Sequence, residues 1–135
     1  MIRYIIVSIG GGILFGVLDG VINANPLAQR LYAVYKPIAK ASLNVSTDLL
    51  IDLAYGFIMA GLFLLLYKSL PGRTGLFKGV SFGLIAWFFR VVMYAASQWM
   101  MFNVPGEALL YSISTGLVEM LILGALYGLT LSRRL

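Results

Sequence analysis

The sequence contains no cysteine and no histidine. The first absence removes disulfides, thiolate metal sites and thiol redox chemistry. The second removes imidazole ligation of haem, most zinc sites and the usual general base at neutral pH. Charge is scarce as well. Only 11% of the 135 residues are charged, against about 25% in a soluble domain. Ten basic and five acidic residues give a net charge of +5. Outside the apolar stretches the basic residues are scattered over loops and ends, so they do not form a nucleic-acid footprint. They read instead as determinants of membrane orientation. What remains implies no cofactor and no metal.

What the chain does have is apolar sequence: 61% hydrophobic residues and a mean hydropathy of +0.94. That composition predicts an all-α integral membrane protein, with residues 1–135 forming a single transmembrane domain. A span needs about 20 mostly apolar residues, and four stretches qualify: residues 4–24, 46–67, 78–102 and 106–131. They predict a four-helix transmembrane bundle. The start, Met1-Ile2-Arg3-Tyr4, looks like a signal peptide, but Asp19, Asn23 and the lack of a small-x-small cleavage pattern favour a retained first helix. Ser46-Thr47-Asp48 supplies N-cap chemistry for the second span. Leu70-Pro71-Gly72-Arg73 and Asn103-Val104-Pro105-Gly106 are turns.

The first connection is longer. Asn25-Pro26 is a cap followed by proline at the first helical position. Leu27, Leu31, Val34, Tyr35 and Ile38 recur at helical spacing among Gln29, Arg30, Lys36 and Lys40. This predicts a short interfacial amphipathic helix over residues 26–36, bent or stopped by Pro37. It serves either as a lid over a polar site or as a spacer. Counting basic residues, Arg3, Lys68, Arg73, Lys78, Arg133 and Arg134 share one side, and Arg30, Lys36 and Lys40 the other. The excess on the first side predicts cytoplasmic termini in a cell inner or plasma membrane.

Two patterns concern packing. Ser8, Gly12, Gly16 and Gly20 are spaced by four, as are Gly79/Gly83 and Gly124/Gly128. Small residues at that interval let helix backbones approach closely in lipid. Bundle packing or a homodimer face follows from them, and Asp19 and Asn23 are expected on the close-packed face of the first span. The motif Gly12 to Leu18 also matches Gly79 to Ile85 at an offset of 67, and Gly61 matches Gly124 at an offset of 63. A duplicated two-helix hairpin would explain both.

The chemistry lies in four ionisable residues inside the spans: Asp19, Asp52, Arg90 and Glu119. Each costs about 2.5–3.5 kcal/mol to insert near a helix centre, and such groups mark functional sites by default. Helical rise places Arg90 and Glu119 at one depth, with Asp19 and Asp52 about 4 Å further out. Arg90–Glu119 is the expected pair, with Asp19 or Asp52 as a second acceptor. Two close carboxylates in a low dielectric hold a proton or a cation between them. A knot of ion pairs that only fixes helix register is the competing reading. Asn23, Asn44, Ser46, Asp48, Tyr94, Ser97, Gln98, Asn103 and Glu107 would line an outer vestibule. Within it Arg90, Tyr94 and Ser97 form one stripe, and Ser112, Thr115 and Glu119 another. Below the charges the lining turns apolar, so a pocket open to one side fits better than a pore.

Known motifs do not extend this. The Asp48-x-x-x-Asp52 spacing lacks the aspartate-glycine-arginine pattern that accompanies it in lipid phosphotransferases. The GxGD signature of intramembrane aspartyl proteases is missing. The leading expectation is a small multi-pass carrier or binding protein. Its buried acid-rich site (Asp19, Asp52, Arg90, Glu119, Asn23, Tyr94) would open to the extracytoplasmic side and take protons, cations or an amphipathic cationic molecule. One alternative is a non-catalytic accessory or assembly subunit of a membrane complex. The other is a membrane enzyme that acts on a lipid or isoprenoid by carboxylate acid–base chemistry. The expected partners are the bilayer, an amphipathic small molecule or lipid, and a second copy or another membrane chain, not nucleic acid.

The orientation has a direct check in a chain without native cysteine. A single cysteine replacing Gln29 is expected to react with an impermeant thiol reagent added outside intact cells. Labelling only after the inner face is opened would reverse the topology.

Overall fold

The computed structural model describes residues 1–38 and 44–131; Lys40, Arg133 and Arg134, used in the basic-residue count, lie outside them. The described residues are helical throughout, apart from short turns. Helix α1 spans Ile2–Ala24, α2 Pro26–Leu31 and α3 Val45–Leu66. Helix α4 spans Gly75–Trp87, α5 Met93–Met101 and α6 Gly106–Thr130. A π-helical turn, Phe88–Val92, joins α4 to α5, so that Gly75–Met101 is one continuous span. Four helices are long and apolar enough to cross a membrane, and the chain is a multi-pass helical membrane protein.

The helix ends follow from local chemistry. Asn25 accepts a hydrogen bond from the Ala28 N–H at 2.9 Å, with Pro26 at the first helical position. The second span starts one residue earlier than Ser46, because Asn44 takes the cap by accepting from the Thr47 N–H at 3.2 Å. The third span begins at Gly75 and not at Lys78: Thr74 accepts from the Phe77 N–H at 3.3 Å. Lys78 is freed for another task. Its ammonium donates to the carbonyls of Tyr67 and Leu70 at 2.8 and 2.9 Å, satisfying acceptors where the second span ends. Between these ends the chain reverses at Gly72, whose φ of 122° suits glycine.

The amphipathic segment over 26–36 is divided. Helix α2 stops at Leu31, and Ala33–Ile38 form a 3₁₀ helix that contains Pro37. Proline at 37 has no N–H to give to an α-helical ladder. The division turns Tyr32 and Tyr35 inward, while Leu27, Val34 and Ile38 remain exposed. Asn25 to Tyr35 is called the strap below, and its end of the bundle the strap end.

The spans pack as two hairpins, α1 with α3 and α4 with α6, which meet along α1 and α6. Glycine makes each hairpin. A Cβ on Gly56 would fall on the Ser8 carbonyl oxygen, and one on Gly12 would lie 2.7 Å from the Asp52 carbonyl oxygen. In the other hairpin a Cβ on Gly79 would fall on the Gly124 carbonyl oxygen, and one on Gly128 on that of Gly75. The stripe on α1 ends sooner than the four-residue spacing implies. Gly16 touches only the Asp52 side chain and Gly20 touches nothing, so Asp19 and Asn23 are released from the packed face.

Between the hairpins large side chains take over. Phe63, Phe82 and Tyr127 pack with ring centroids 5.5–6.3 Å apart. Tyr127 is fully buried, and its hydroxyl donates to the Gly56 carbonyl oxygen at 3.4 Å. With Met120, Leu123, Leu70 and Leu131 these rings fill the half of the bundle away from the strap.

Alanine at Gly79 therefore has to separate α4 from α6, at about 1–3 kcal/mol for overpacking. Alanine at Gly20 meets nothing and is expected to be neutral or slightly stabilising through helix propensity. Thermal unfolding in detergent should rank Gly79→Ala well below Gly20→Ala. Equal stability of the two would mean that the backbones are not in contact at Gly79.

Candidate functional site

Above the aromatic fill lies a cavity of about 350 Å³. Helix α1 lends it Asp19, Ile22 and Asn23, and the strap lends Tyr32 and Tyr35. The third span contributes Arg90, Val91, Tyr94, Ala95 and Gln98, and α6 contributes Leu109, Ser112, Thr115, Gly116 and Glu119. Five of the six residues expected from the sequence thus line one cavity: Asp19, Asn23, Arg90, Tyr94 and Glu119. Asp52 does not. It is buried on α3 with its carboxyl against Gly16, outside the lining. The depth argument places Asp52 level with Asp19, but depth is blind to the direction in which a helix turns its side chain.

Arg90 and Glu119 form the expected pair, with Nη1 to Oε1 at 3.4 Å. Glu119 is 2% exposed and the Arg90 side chain 35%. The guanidinium also lies over two rings, 4.9 Å from the Phe15 centroid and 5.1 Å from that of Tyr55. Those rings stack on each other at 4.3 Å. A cation beside aromatic rings gains about 0.5–2 kcal/mol, rising as it is withdrawn from water. Arg90 is thereby held by Glu119 and the ring pair, in place of the second carboxylate expected. The Asp19 carboxyl lines the same cavity as Glu119, on the facing helix α1.

The π-helical turn sets the facing of this span. Met93 N–H bonds to Phe88 O, five residues back, which widens the helix around Arg90. Val91 on the widened turn packs against Gly116 of α6, where a Cβ would lie 2.8 Å from Val91 Cγ2. Beyond the turn Tyr94 and Gln98 line the cavity. Ser97, expected on that stripe, is exposed and bonds to the Met93 carbonyl oxygen at 3.1 Å. The second stripe, Ser112, Thr115 and Glu119, lines the cavity as a helical repeat requires. Asn44, Ser46, Asp48, Asn103 and Glu107 are not among the lining residues.

Sequence reasoning offered a lid or a spacer here, but did not assign the strap's tyrosines to the site. Tyr32 and Ser112 share a short hydrogen bond between their hydroxyls. Tyr35 donates to Gln98 Oε1 at 3.3 Å. Asn25 Nδ2 donates to the Tyr111 hydroxyl at 2.8 Å, and Tyr111 donates in turn to the Ile22 carbonyl oxygen. Burial pushes the Tyr32 and Tyr35 phenols above their ordinary value, so both keep their protons through the neutral range. The only sequence signal was the tyrosine spacing, which a purely apolar stripe would equally explain.

Comparison with protein-family models, curated proteins and solved structures finds no match.

Replacing Arg90 with leucine strands Glu119. Breaking a fully buried pair costs about 3–5 kcal/mol, and with one partner a third exposed about 2–3 kcal/mol is expected. Adding Glu119→Gln should restore most of that stability in denaturant unfolding, whereas Asp52→Asn should restore none. Rescue by Asp52→Asn alone would relocate the pairing to α3.

Proposed function

We propose that this chain is a small membrane binding protein or carrier whose cavity takes an organic cation from the extracytoplasmic side. The observation that carries the reading is charge imbalance inside a formed cavity. Two carboxyls and one guanidinium line it, and the guanidinium is already engaged by Glu119 and the Phe15–Tyr55 pair. Asp19 is left as the carboxylate available to a ligand. Its complement is a single positive charge.

The surroundings favour an organic cation over a bare metal ion. Tyr32, Tyr35 and Tyr94 line the same cavity, and aromatic faces attract alkylammonium groups. Asn23, Gln98, Ser112 and Thr115 supply hydrogen-bonding groups, while Ile22, Val91, Ala95 and Leu109 supply apolar wall. A few convergent polar groups in a cavity of some hundreds of cubic ångströms is the usual make-up of a small-molecule site. The packed rings of Phe63, Phe82 and Tyr127 close the far half, which supports access from the strap end only.

Benzyltrimethylammonium is a suitable probe, titrated against the purified protein in detergent by calorimetry. Asp19→Asn is expected to weaken its binding about tenfold or more, each factor of ten being about 1.4 kcal/mol. Asp48→Asn, outside the lining, should leave it unchanged. Unaltered affinity in Asp19→Asn would refute the assignment of Asp19 as the counter-charge.

A further inference from the structure

We infer that the cavity is loaded sideways, through the gap between α1 and α5 at the strap end, by an amphipathic monocation already dissolved in the bilayer; this deepens the organic-cation reading and rests on it. The strap roofs the cavity and is tied down at three points. Tyr32 bonds to Ser112 on α6, Tyr35 to Gln98 on α5, and Asn25 to Tyr111 on α6. Helix α6 forms the back wall. Entry from above would have to break these bonds.

The side opposite α6 is built differently. Helix α1 packs on α3 and α6, and α5 on α6, whereas α1 and α5 share no substantial packing. No described residue of α3 lines the cavity, and Asn44 to Ile51 at the head of that span are all exposed. The residues flanking the gap are polar and open: Asn23 is exposed, Tyr94 is 63% exposed and the Arg90 side chain 35%. Elsewhere on the same two spans Val17, Val21, Phe89 and Met93 are exposed and apolar, as lipid-facing positions should be. A polar break between two lipid-facing strips is costly unless it leads somewhere. Here it leads to Asp19.

Route and ligand class go together. A cation reaching Asp19 through this gap comes from within the bilayer, so it must partition there by an apolar portion. At about 350 Å³ the cavity holds a headgroup but not a long chain, which would trail through the gap into lipid. The ligand class is therefore a single-tailed ammonium amphipath.

The test compares benzyldimethyldodecylammonium with benzyltrimethylammonium on the full chain in vesicles, with the roof sealed or the gap filled. Sealing joins cysteines at Asn25 and Tyr111, a strap tie outside the cavity lining, with a short bis-methanethiosulfonate linker. Filling uses Asn23→Trp or, should that variant not fold, Asn23→Cys labelled after folding with a bulky maleimide. Lateral loading expects the dodecyl probe to bind the sealed protein at an unchanged rate and the filled protein at least tenfold more slowly. It also expects the dodecyl probe to compete with the trimethyl probe. Loss of binding of both probes on sealing, with none on filling, would overturn the lateral route while leaving a cation site. Binding of the trimethyl probe alone to the unmodified protein would overturn the amphipath class and the route while leaving a cation site, and failure of both probes would remove the cation reading as well.

Discussion

Close backbone contact at glycine is what the rest of the bundle depends on. Lipid is as apolar as leucine, so burying leucine against leucine gives transmembrane helices little reason to associate. Close approach of backbones, with the dispersion contacts it brings, has to supply that reason. Gly12 with Gly56, and Gly79 with Gly124 and Gly128, concentrate such contact within the two hairpins. The hairpins can then stand further from each other. The space between them takes Phe63, Phe82 and Tyr127 in one half and the cavity in the other.

That spacing makes the buried charges tolerable. Arg90 reaches across the interface to aromatic rings on α1 and α3 as well as to a carboxylate on α6, and so ties both hairpins at mid-span. A lysine would not serve equally, because its compact ammonium lacks the planar, delocalised guanidinium that here meets Glu119 and the Phe15 and Tyr55 rings at once. The widened turn at Phe88–Val92 and the missing side chain at Gly116 give the third span room to present Arg90 and Val91 together. Packing, turn and ion pair form one construction.

The four spans, the capped start at Asn25 and the Arg90–Glu119 pair were legible because each depends on quantities that add along a chain: hydropathy, cap chemistry and axial depth. What was not legible depends on rotation about a helix axis. Asp52 has the depth of Asp19 but turns to Gly16, and the π-helical turn exchanges Ser97 for Gln98 at the cavity. Thr74 escaped notice as a cap because the hydropathic stretch begins later, at Lys78. Tyr35 read as part of an apolar stripe and Tyr32 was not singled out, and only the break after Leu31 turns both inward.

The internal correspondence also changes register in three dimensions. In contacts, Ser8 and Gly12 oppose Gly56 as Gly79 and Gly83 oppose Gly124, which sets the first and third spans at an offset of 71 residues, not 67. The shift is one helical turn, the size of error that a four-residue glycine repeat invites. At the new offset Asp19 aligns with Arg90. Two hairpins closed by the same glycine contact thus place an acid and a base at matching positions along the cavity. The π-helical turn falls at Arg90 and has no counterpart at Asp19, which lies within the regular helix α1. Similar backbones with opposite charges give the interface an electrostatic polarity that strict symmetry would forbid. Glu119 then pairs with the base, and the cavity lining keeps one carboxyl more than it has cations.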